Sequence, residues 1–244
     1  MVDIVIIVPV YNEEEGIGTL PSAFEKYFLK TDLDCSVLLV DDGSTDQSLL
    51  KIQSICEQNP KFDYISLDQN RGLSTALKAG IDHAKASWIG YIDADLQTTP
   101  LDFLKLEQYM LTHDLVTGYR VGRKDNLTKK VTSFLANSFR GWLLGDGVRD
   151  SGCPLKLIRS KTARELPFFK GMHRFLPALV KLGGGMVKEV PVQHFPRLTG
   201  YSKFSFKNRL LGPIVDSFAV NWMGGRMIRY QIKNQSSSIS SSKK

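Results

Sequence analysis

Four short apolar segments in the first half of the chain are each followed by a cluster of polar residues. The segments are Ile4–Val8, Cys35–Val40, Tyr64–Leu67 and Trp88–Ile92. The stretches between them carry apolar residues at helical spacing, and strands that alternate with helices predict βαβ units and a parallel sheet. Parallel strands place their carboxyl ends at one edge, where open α/β sheets bind ligands, so the polar clusters are expected to converge there. In the second cluster, Ser44 and Gln47 have the spacing of a helix capping box.

The fourth polar cluster places two carboxylates one residue apart. Asp93 and Asp95 follow the apolar run, and Thr98-Thr99-Pro100 then predicts a helix start. Two such carboxylates repel each other unless a positive charge is shared between them. Mg²⁺ usually takes one or two protein carboxylates together with substrate phosphates, and it is the natural partner here. Taken alone, the pair favours a polar turn, so the functional interpretation depends on the preceding clusters.

The second half of the chain departs from this alternation. Residues 129–144 and 204–230 are amphipathic stretches rich in aromatic side chains and flanked by Lys or Arg. Each is predicted to be either a core helix with a solvated basic face or a helix in a membrane interface. A dimer contact is a further alternative for both. The low-complexity C-terminal residues are predicted to be disordered.

Composition limits the compartment and the class of partner. The chain of 244 residues has a net charge of +7, which favours an anionic partner but does not choose between nucleotide, nucleic acid and lipid headgroup. Its three cysteines lie far apart and are predicted to be reduced, as in a cytosolic protein. No apolar run reaches the roughly 18 residues that span a bilayer. No signal segment is expected before the first strand, so a cytoplasmic protein is predicted.

Four motifs, taken in order, resemble one family of enzymes. They are Val8-Pro9-Val10-Tyr11-Asn12-Glu13-Glu14, Asp41-Asp42-Gly43-Ser44-Thr45-Asp46, Asn70-Arg71-Gly72 and Asp93-Ala94-Asp95-Leu96-Gln97. The set resembles the inverting glycosyltransferases of the type-A (GT-A) fold, and most closely their dolichyl- and polyprenyl-phosphate sugar synthases. Residues 119–123 and 196–203 resemble that subgroup's phosphate-binding and acceptor-loop segments. The resemblance implies an α/β fold with a Rossmann-like, mostly parallel central sheet flanked by helices, and C-terminal amphipathic interface helices.

The resemblance also implies an activity and its requirements. A monosaccharide would move from a nucleoside-diphosphate sugar, GDP-mannose or a UDP-hexose, to a polyprenyl or dolichyl phosphate. Residues 1–118 would form the nucleotide-sugar half, residues 119–230 the acceptor half of the same catalytic domain, and residues 231–244 a disordered tail. Mg²⁺ or Mn²⁺ would be the cofactor. The enzyme would sit peripherally on the inner face of the membrane, and a homodimer is left open.

Roles for individual residues follow from the same resemblance. The nucleotide sugar would contact Pro9, Tyr11, Glu13, Asp41 or Asp42, Arg71, Gly72, Asp93 and Ala94. Asp95 would be the main metal ligand, with Asp93 and Gln97 beside it. The reacting phosphates would be contacted by Arg120, Arg123, Arg197, Ser202 and Lys203. Asp95 and Arg120 are therefore the principal catalytic candidates.

The acceptor decides whether a catalytic base is needed. A phosphate monoester has a second pKa of about 6 and is largely ionised at pH 7, so it needs none. A hydroxyl acceptor on a glycan or glycolipid would need a carboxylate base, and Asp150 is the best candidate, although a turn role before Ser151-Gly152 is at least equally expected. A third alternative is a nucleotide- or lipid-binding protein without turnover. A nucleic-acid binder is weaker still, because the basic residues are scattered and no base-reading module is recognised.

Overall fold

The computed structural model describes residues 2–122, 137–196 and 211–228. Seven strands form one sheet in the order β3-β2-β1-β4-β6-β5-β7. The strands are β1 Ile4–Val10, β2 Cys35–Asp41, β3 Phe62–Ser66, β4 Trp88–Tyr91, β5 Leu115–Val121, β6 Lys156–Arg159 and β7 Val187–Gln193. The helices are α1 Leu20–Phe28, α2 Ser48–Gln58, α3 Leu73–His83, α4 Phe103–Glu107, α5 at residues 137–144, α6 Ser160–Glu165, α7 Leu176–Leu182 and α8 Leu211–Gly224. Short 3-10 turns lie at Ile17–Thr19, Pro100–Asp102 and Met172–Arg174.

The sheet is mostly parallel, as the alternation of strands and helices predicts. Strands β3, β2, β1 and β4 are parallel neighbours, so the polar residues after them converge on one edge. Strand β6 is antiparallel and lies between β4 and β5, with Lys156 opposite both Tyr91 and Thr117. The parallel pair of β5 and β7 completes the sheet. Because β6 runs the other way, the turn before it reaches the same edge as the ends of the parallel strands.

Alternating side chains of β1 enter two hydrophobic layers, one on each face of the sheet. Ile4, Ile6 and Val8 pack in the layer that holds buried residues of α1, α2 and α4. Val5 and Ile7 pack in the layer that holds buried residues of α3, α6 and α7. Both faces of the sheet are therefore covered by helices. The edge where the parallel strands end stays open and is accessible to a ligand.

The predicted capping box at Ser44 and Gln47 is wrong. Helix α2 begins at Ser48, and Gln47 makes no side-chain capping hydrogen bond. Ser44 Oγ instead accepts a hydrogen bond from the backbone N–H of Asn12 at 2.9 Å. The loops after β1 and β2 lie side by side, and this contact gives the backbone N–H of Asn12 a hydrogen-bond partner. Asn12 has a φ of 51°, and the chain turns out of the sheet there.

Both predicted amphipathic stretches contain a helix where the chain is described. Residues 137–144 form α5 in the first stretch, and α8 lies in the second. None of the helices within residues 2–122, 137–196 and 211–228 has the length and apolar character to cross a membrane. The proposed phosphate contacts Arg123, Arg197, Ser202 and Lys203 lie outside the described residues, as does the tail predicted to be disordered.

Candidate functional site

A cavity of about 400 Å³ lies between the loops that follow β1, β2 and β3. Tyr11, Asp41 and Ser66 are among its lining residues. The loops are tied together because the Glu13 N–H donates to Ser48 Oγ at 2.8 Å and the Thr45 N–H donates to the Asn12 side chain at 2.7 Å. These contacts use backbone groups that the strand ends would otherwise leave unpaired. The predicted nucleotide residues Tyr11 and Asp41 thus line one cavity, and Glu13 belongs to the same loop.

The adjacent carboxylates Asp41 and Asp42 have different surroundings. Asp41 lines the cavity and accepts hydrogen bonds from the Ser44 N–H at 3.1 Å and the Ser66 hydroxyl at 2.7 Å. Asp42 turns towards the third polar cluster and accepts the backbone N–H groups of Arg71 and Gly72, each at 2.8 Å. Burial raises the pKa of Asp42, and these two N–H groups oppose that rise. Asp42 therefore stabilises the loop that leads into α3 through hydrogen bonds to its backbone.

The two carboxylates after β4 lie half-buried at the same edge of the sheet. Asp93 Oδ1 accepts the Tyr91 hydroxyl at 2.7 Å, and Asp95 Oδ1 accepts the Gln97 backbone N–H at 3.2 Å. Burial, followed by the negative charge of Asp95, raises the pKa of Asp93 to about 6. Two oriented, partly buried carboxylates that repel each other are suited to binding a cation between them.

The rest of the described chain supplies no protein cage for such a cation. No group of three or more His, Cys, Asp or Glu side chains suited to metal binding occurs among the described residues. A hard cation such as Mg²⁺ or Mn²⁺ on Asp93 and Asp95 would complete its coordination with substrate phosphate oxygens, water or an amide oxygen. The donor set fits that kind of site, with Gln97 next to it in the chain.

Arg120 and Asp150 form a bidentate ion pair beside these carboxylates. Arg120 Nε donates to Asp150 Oδ2 at 2.8 Å and its Nη2 donates to Oδ1 at 2.9 Å. The Arg120 backbone N–H also donates to Oδ2, at 3.2 Å. Burial opposes the charge on Arg120, but the hydrogen bonds and charge of Asp150 outweigh it and raise the pKa of the guanidinium. The carboxylate predicted as a turn residue or a base thus orients the predicted phosphate contact.

Lys156 was not singled out by the sequence, although it stands in the apolar run Leu155-Lys156-Leu157-Ile158. Its side chain is 1% exposed. Nζ donates to the backbone carbonyls of Ser151, at 3.2 Å, and Cys153, and it lies 5.8 Å from the centre of the Tyr91 ring. Burial lowers the pKa of Lys156, while the negative charges of Asp150 and Asp93 act against that change. The sequence feature that could have identified Lys156 is a lysine within an otherwise apolar strand.

His173 is a second residue whose place the sequence did not predict. Ser74 Oγ accepts the Gly171 N–H at 3.0 Å and lies 2.9 Å from His173 Nδ1. Burial, and then the positive charges of Arg174 and Lys156, lower the pKa of His173 to about 3. The imidazole is therefore neutral at physiological pH and joins the start of α3 to the 3-10 turn before α7.

The end of β7 meets the loop that carries the carboxylates. The Phe195 N–H donates to the Gln97 carbonyl at 2.9 Å. The Gln193 N–H donates to Asp102 Oδ2 at 2.8 Å. The described segment that ends at residue 196, at the start of the predicted acceptor loop, therefore contacts Gln97.

The remaining predicted residues have other surroundings. Ala94 packs in the hydrophobic core, and Pro9 lies within β1. The Arg71 guanidinium pairs with Asp68 at 2.8 Å on the surface. Arg71 and Gly72 also line a second cavity, of about 640 Å³, together with Lys170. The structure thus brings together Asp93, Asp95, Arg120 and Asp150, with the cavity of Tyr11 and Asp41 at the same edge.

The chain belongs to glycosyl transferase family 2, whose sequence profile matches residues 5–169. Among curated proteins it is 33% identical over 223 residues to dodecaprenyl-phosphate galacturonate synthase of Rhizobium johnstonii. That match covers 88% of this chain and 65% of the relative's length.

The fold is that of solved GT-A glycosyltransferases. Glucosyl-3-phosphoglycerate synthase of Mycobacterium tuberculosis, in complex with Mn²⁺, UDP and glucosyl-3-phosphoglycerate, superimposes with a TM-score of 0.68 at 18% identity. The same enzyme in complex with Mg²⁺ and UDP gives a TM-score of 0.67 at 18% identity. These matches cover 93% of this chain and, respectively, 81% and 80% of the solved chains.

Proposed function

We propose that this protein is a metal-dependent, inverting glycosyltransferase that moves a monosaccharide from a nucleoside-diphosphate sugar to a polyprenyl phosphate. The observation that carries the proposal is the carboxylate pair Asp93 and Asp95 beside the ordered cation Arg120 at the open edge of the sheet. The curated relative is named for a dodecaprenyl-phosphate product, which supports this class of acceptor. Its name also makes a uronic acid a candidate sugar alongside the hexoses.

The donor would bind across the strand ends. Its nucleoside would occupy the cavity lined by Tyr11 and Asp41, and its diphosphate would face Asp93 and Asp95. A divalent cation held by these two carboxylates would supply charge stabilisation to the diphosphate leaving group. Tyr91 and the Gln97 N–H keep the two carboxylates oriented for that task. The metal-bound UDP complexes of the solved fold relative support the choice of Mg²⁺ or Mn²⁺.

The acceptor phosphate would meet the guanidinium of Arg120. Since a phosphate monoester is already largely ionised at pH 7, the task of the protein is to bring two anions together rather than to remove a proton. Asp150 holds Arg120 through two side-chain hydrogen bonds, which fixes the fork geometry that recognises phosphate oxygens. Arg123, Arg197 and Lys203 are proposed to add positive charge from the neighbouring segments.

Transfer to a hydroxyl of a glycan or glycolipid is the second candidate function. It requires a carboxylate base, and Asp150 is the residue proposed for that role. A base role requires Asp150 to give up part of its pairing with Arg120, which would leave a largely buried guanidinium without its partner. The ion pair therefore favours the phosphate acceptor.

The enzyme is proposed to work at the cytoplasmic surface of a membrane, because a polyprenyl chain lies in the bilayer. Helices α5 and α8 present an aromatic face formed by Phe139, Trp142, Phe218 and Trp222. Phe139 packs 5.8 Å from Phe218 and 6.4 Å from Trp142, measured between ring centres. Trp142 is 79% exposed and Trp222 66% exposed. Exposed Trp and Phe with a nearby Arg226, which lies 5.7 Å from the Trp222 ring, suit a lipid headgroup region.

The proposal is tested with purified protein, Mg²⁺ or Mn²⁺, polyprenyl phosphate and a panel of GDP- and UDP-sugars. We expect one donor to give metal-dependent release of nucleoside diphosphate and a lipid-linked sugar, and we expect Asp95→Ala to abolish both. Asp63→Ala, which removes an exposed carboxylate on β3, is the matched control and should retain activity. Nucleotide binding with no product from any donor would contradict the proposal.

The two candidate acceptors are separated by Asp150→Asn. With a phosphate acceptor the variant should lose part of its activity, because Arg120 is less well held. With a hydroxyl acceptor it should lose all transfer while donor binding survives, because the base is gone.

A further inference from the structure

The ammonium group of Lys156 is enclosed beneath the candidate site and has two backbone partners there. Nζ donates to the carbonyls of Ser151 and Cys153, which flank the turn that follows Asp150. The Cys153 N–H closes this turn by donating to the Asp150 carbonyl at 3.2 Å. The ammonium group thus holds both sides of the turn that carries the partner of Arg120.

Lys156 also faces the carboxylate side of the site. Its Nζ lies 5.8 Å from the centre of the Tyr91 ring, and the Tyr91 hydroxyl donates to Asp93 at 2.7 Å. The pairing of β4 with β6 places Lys156 directly opposite Tyr91, so this contact is fixed by the sheet. Its positive charge acts on both Asp93 and Asp150.

We infer that Lys156 is a positioning residue that fixes Asp150, and through it Arg120, while it links this ion pair to the Tyr91–Asp93 hydrogen bond. At 1% exposure the ammonium group does not reach a substrate, so it acts only through its neighbours. The inference rests on the proposed function for the meaning of Arg120 as a phosphate contact. The contacts that support it do not depend on the identity of the acceptor.

The chemistry of the turn explains why a lysine suits this position. Two carbonyl oxygens must be satisfied away from water, and an ammonium group carries three N–H donors on a flexible stem. An apolar side chain would leave both carbonyls unpaired, and unpaired buried carbonyls push a turn towards another conformation. Arg120 would then lose the fixed orientation of its partner carboxylate.

The test compares Lys156→Met and Lys156→Gln with Lys61→Met. Lys61 is a matched control because its Nζ also donates to a backbone carbonyl, that of Cys35 at 3.3 Å, and lies 5.2 Å from the Phe28 ring centre, on the opposite layer of the fold. Hydrogen exchange is measured at the Arg120 amide, which donates to Asp150, and at residues 151–153. Affinities for Mn²⁺ and nucleotide, and the kinetics of transfer, are measured on the same proteins.

We expect the Lys156 variants to exchange faster at the Arg120 amide and at residues 151–153, with exchange elsewhere unchanged. Transfer should fall about tenfold or more, as for other residues that orient a contact group. The affinity for Mn²⁺ should be unchanged or tighter, because a positive charge near Asp93 has been removed. A general loss of structure would instead weaken metal binding.

A double variant tests whether Lys156 acts through Asp150. If it does, Lys156→Met combined with Asp150→Asn should be little worse than the more damaging single variant. Additive losses, or transfer by Lys156→Met within about twofold of wild type, would overturn the inference. If neither Lys156 variant folds, Lys156 serves the fold as a whole and the inference is likewise overturned.

Failure of the proposed function would look different. In that case the wild-type protein would give no lipid-linked sugar. The exchange and Mn²⁺ measurements, which need no acceptor, would still report whether Lys156 holds the turn. Lys61→Met should match the wild type in all of these measurements.

Discussion

At the scale of single residues, the carboxylate pair is the feature that gives the site its chemistry. Asp93 accepts the Tyr91 hydroxyl, and burial followed by the negative charge of Asp95 raises its pKa to about 6. The protonated form is therefore favoured below about pH 6. An ordinary carboxyl group becomes protonated only at a considerably lower pH. A metal ligand must be ionised, so binding of a metal at the proposed site would compete with this proton.

Metal affinity is accordingly expected to depend on pH in a defined direction. The affinity for Mn²⁺ should be constant above about pH 7 and should fall by about tenfold per pH unit below pH 6, as Asp93 takes up a proton. Titration of Mn²⁺ binding between pH 5 and 8 measures this. Asp93→Asn should bind weakly at every pH, and Asp63→Asn, on the exposed side of β3, should reproduce the wild-type profile. A wild-type profile that stays flat to pH 5 would contradict the account of Asp93.

The Arg120–Asp150 pair gives a second prediction at this scale. Arg120→Lys keeps the charge but loses the two-pronged contact with Asp150, so transfer should fall about 10- to 100-fold. Arg159→Lys is the matched control, because Arg159 also pairs with a carboxylate, Asp114 at 3.4 Å, and stacks over Trp88. Steady-state kinetics of transfer by both variants measure the predicted loss. Equal activity of Arg120→Lys and wild type would contradict the proposed contact between Arg120 and phosphate.

At the scale of elements, the first four strands were predictable, as was a short strand at Leu155–Ile158, but the antiparallel placement of that sixth strand was not. β1 to β4 are apolar runs closed by turn chemistry, and both signals lie within a few residues of each other. β6 is a four-residue strand whose antiparallel placement depends on partners far away in the chain. The same limit applies to the site: Asp93 and Asp95 follow from local spacing, whereas the contacts of Lys156 with Tyr91 and of His173 with Ser74 join distant segments.

The loop after β2 gives a prediction about the cavity that is proposed to hold the nucleoside. Gly43 has a φ of +66°, and a Cβ there would lie 2.3 Å from the backbone carbon of Gln69. Gly43→Ala must therefore separate two loops that line the cavity, and we expect a loss of about 2 kcal/mol in unfolding free energy together with weaker nucleotide binding. Urea denaturation and calorimetric titration with nucleotide measure the two effects.

Gly18→Ala is the control for this substitution. Nothing lies within 4 Å of the Cβ that it adds, and Gly18 does not have a positive φ. Its unfolding free energy should stay within about 0.5 kcal/mol of wild type. Unchanged nucleotide affinity in a folded Gly43→Ala protein would show that the cavity does not hold the nucleotide.

At the scale of the whole molecule, the proposed function requires the open edge of the sheet and the aromatic face to serve the same reaction. Helix α8 packs close to the start of α3. The Gly171 N–H donates to Ser74, and a Cβ added at Gly171 would lie 2.8 Å from Asp216 Oδ2 of α8. The opposite side of α8 exposes Phe218 and Trp222. The proposed membrane contact would lie on that side.

Membrane attachment through the aromatic face is tested with lipid vesicles. The wild-type protein should float with vesicles that contain anionic lipid and less with neutral ones, given the net charge of +7. Phe218→Ser with Trp222→Ser should reduce flotation several-fold, because burial of these rings supplies the apolar part of the binding. Leu29→Ser with Leu111→Ser, which changes two exposed apolar residues elsewhere, should float like wild type. Equal flotation of both double variants would place membrane contact outside the aromatic face.

The acceptor is proposed to be a lipid phosphate, and this is tested by comparing polyprenyl phosphate with the polyprenol of the same length as acceptors. Both would be offered with the active donor and Mn²⁺, and products would be identified by mass spectrometry. We expect a single sugar joined to polyprenyl phosphate with the anomeric configuration inverted, and no product from polyprenol. Transfer to polyprenol at a comparable rate would contradict a lipid-phosphate acceptor and would make Asp150 the residue to examine as a base.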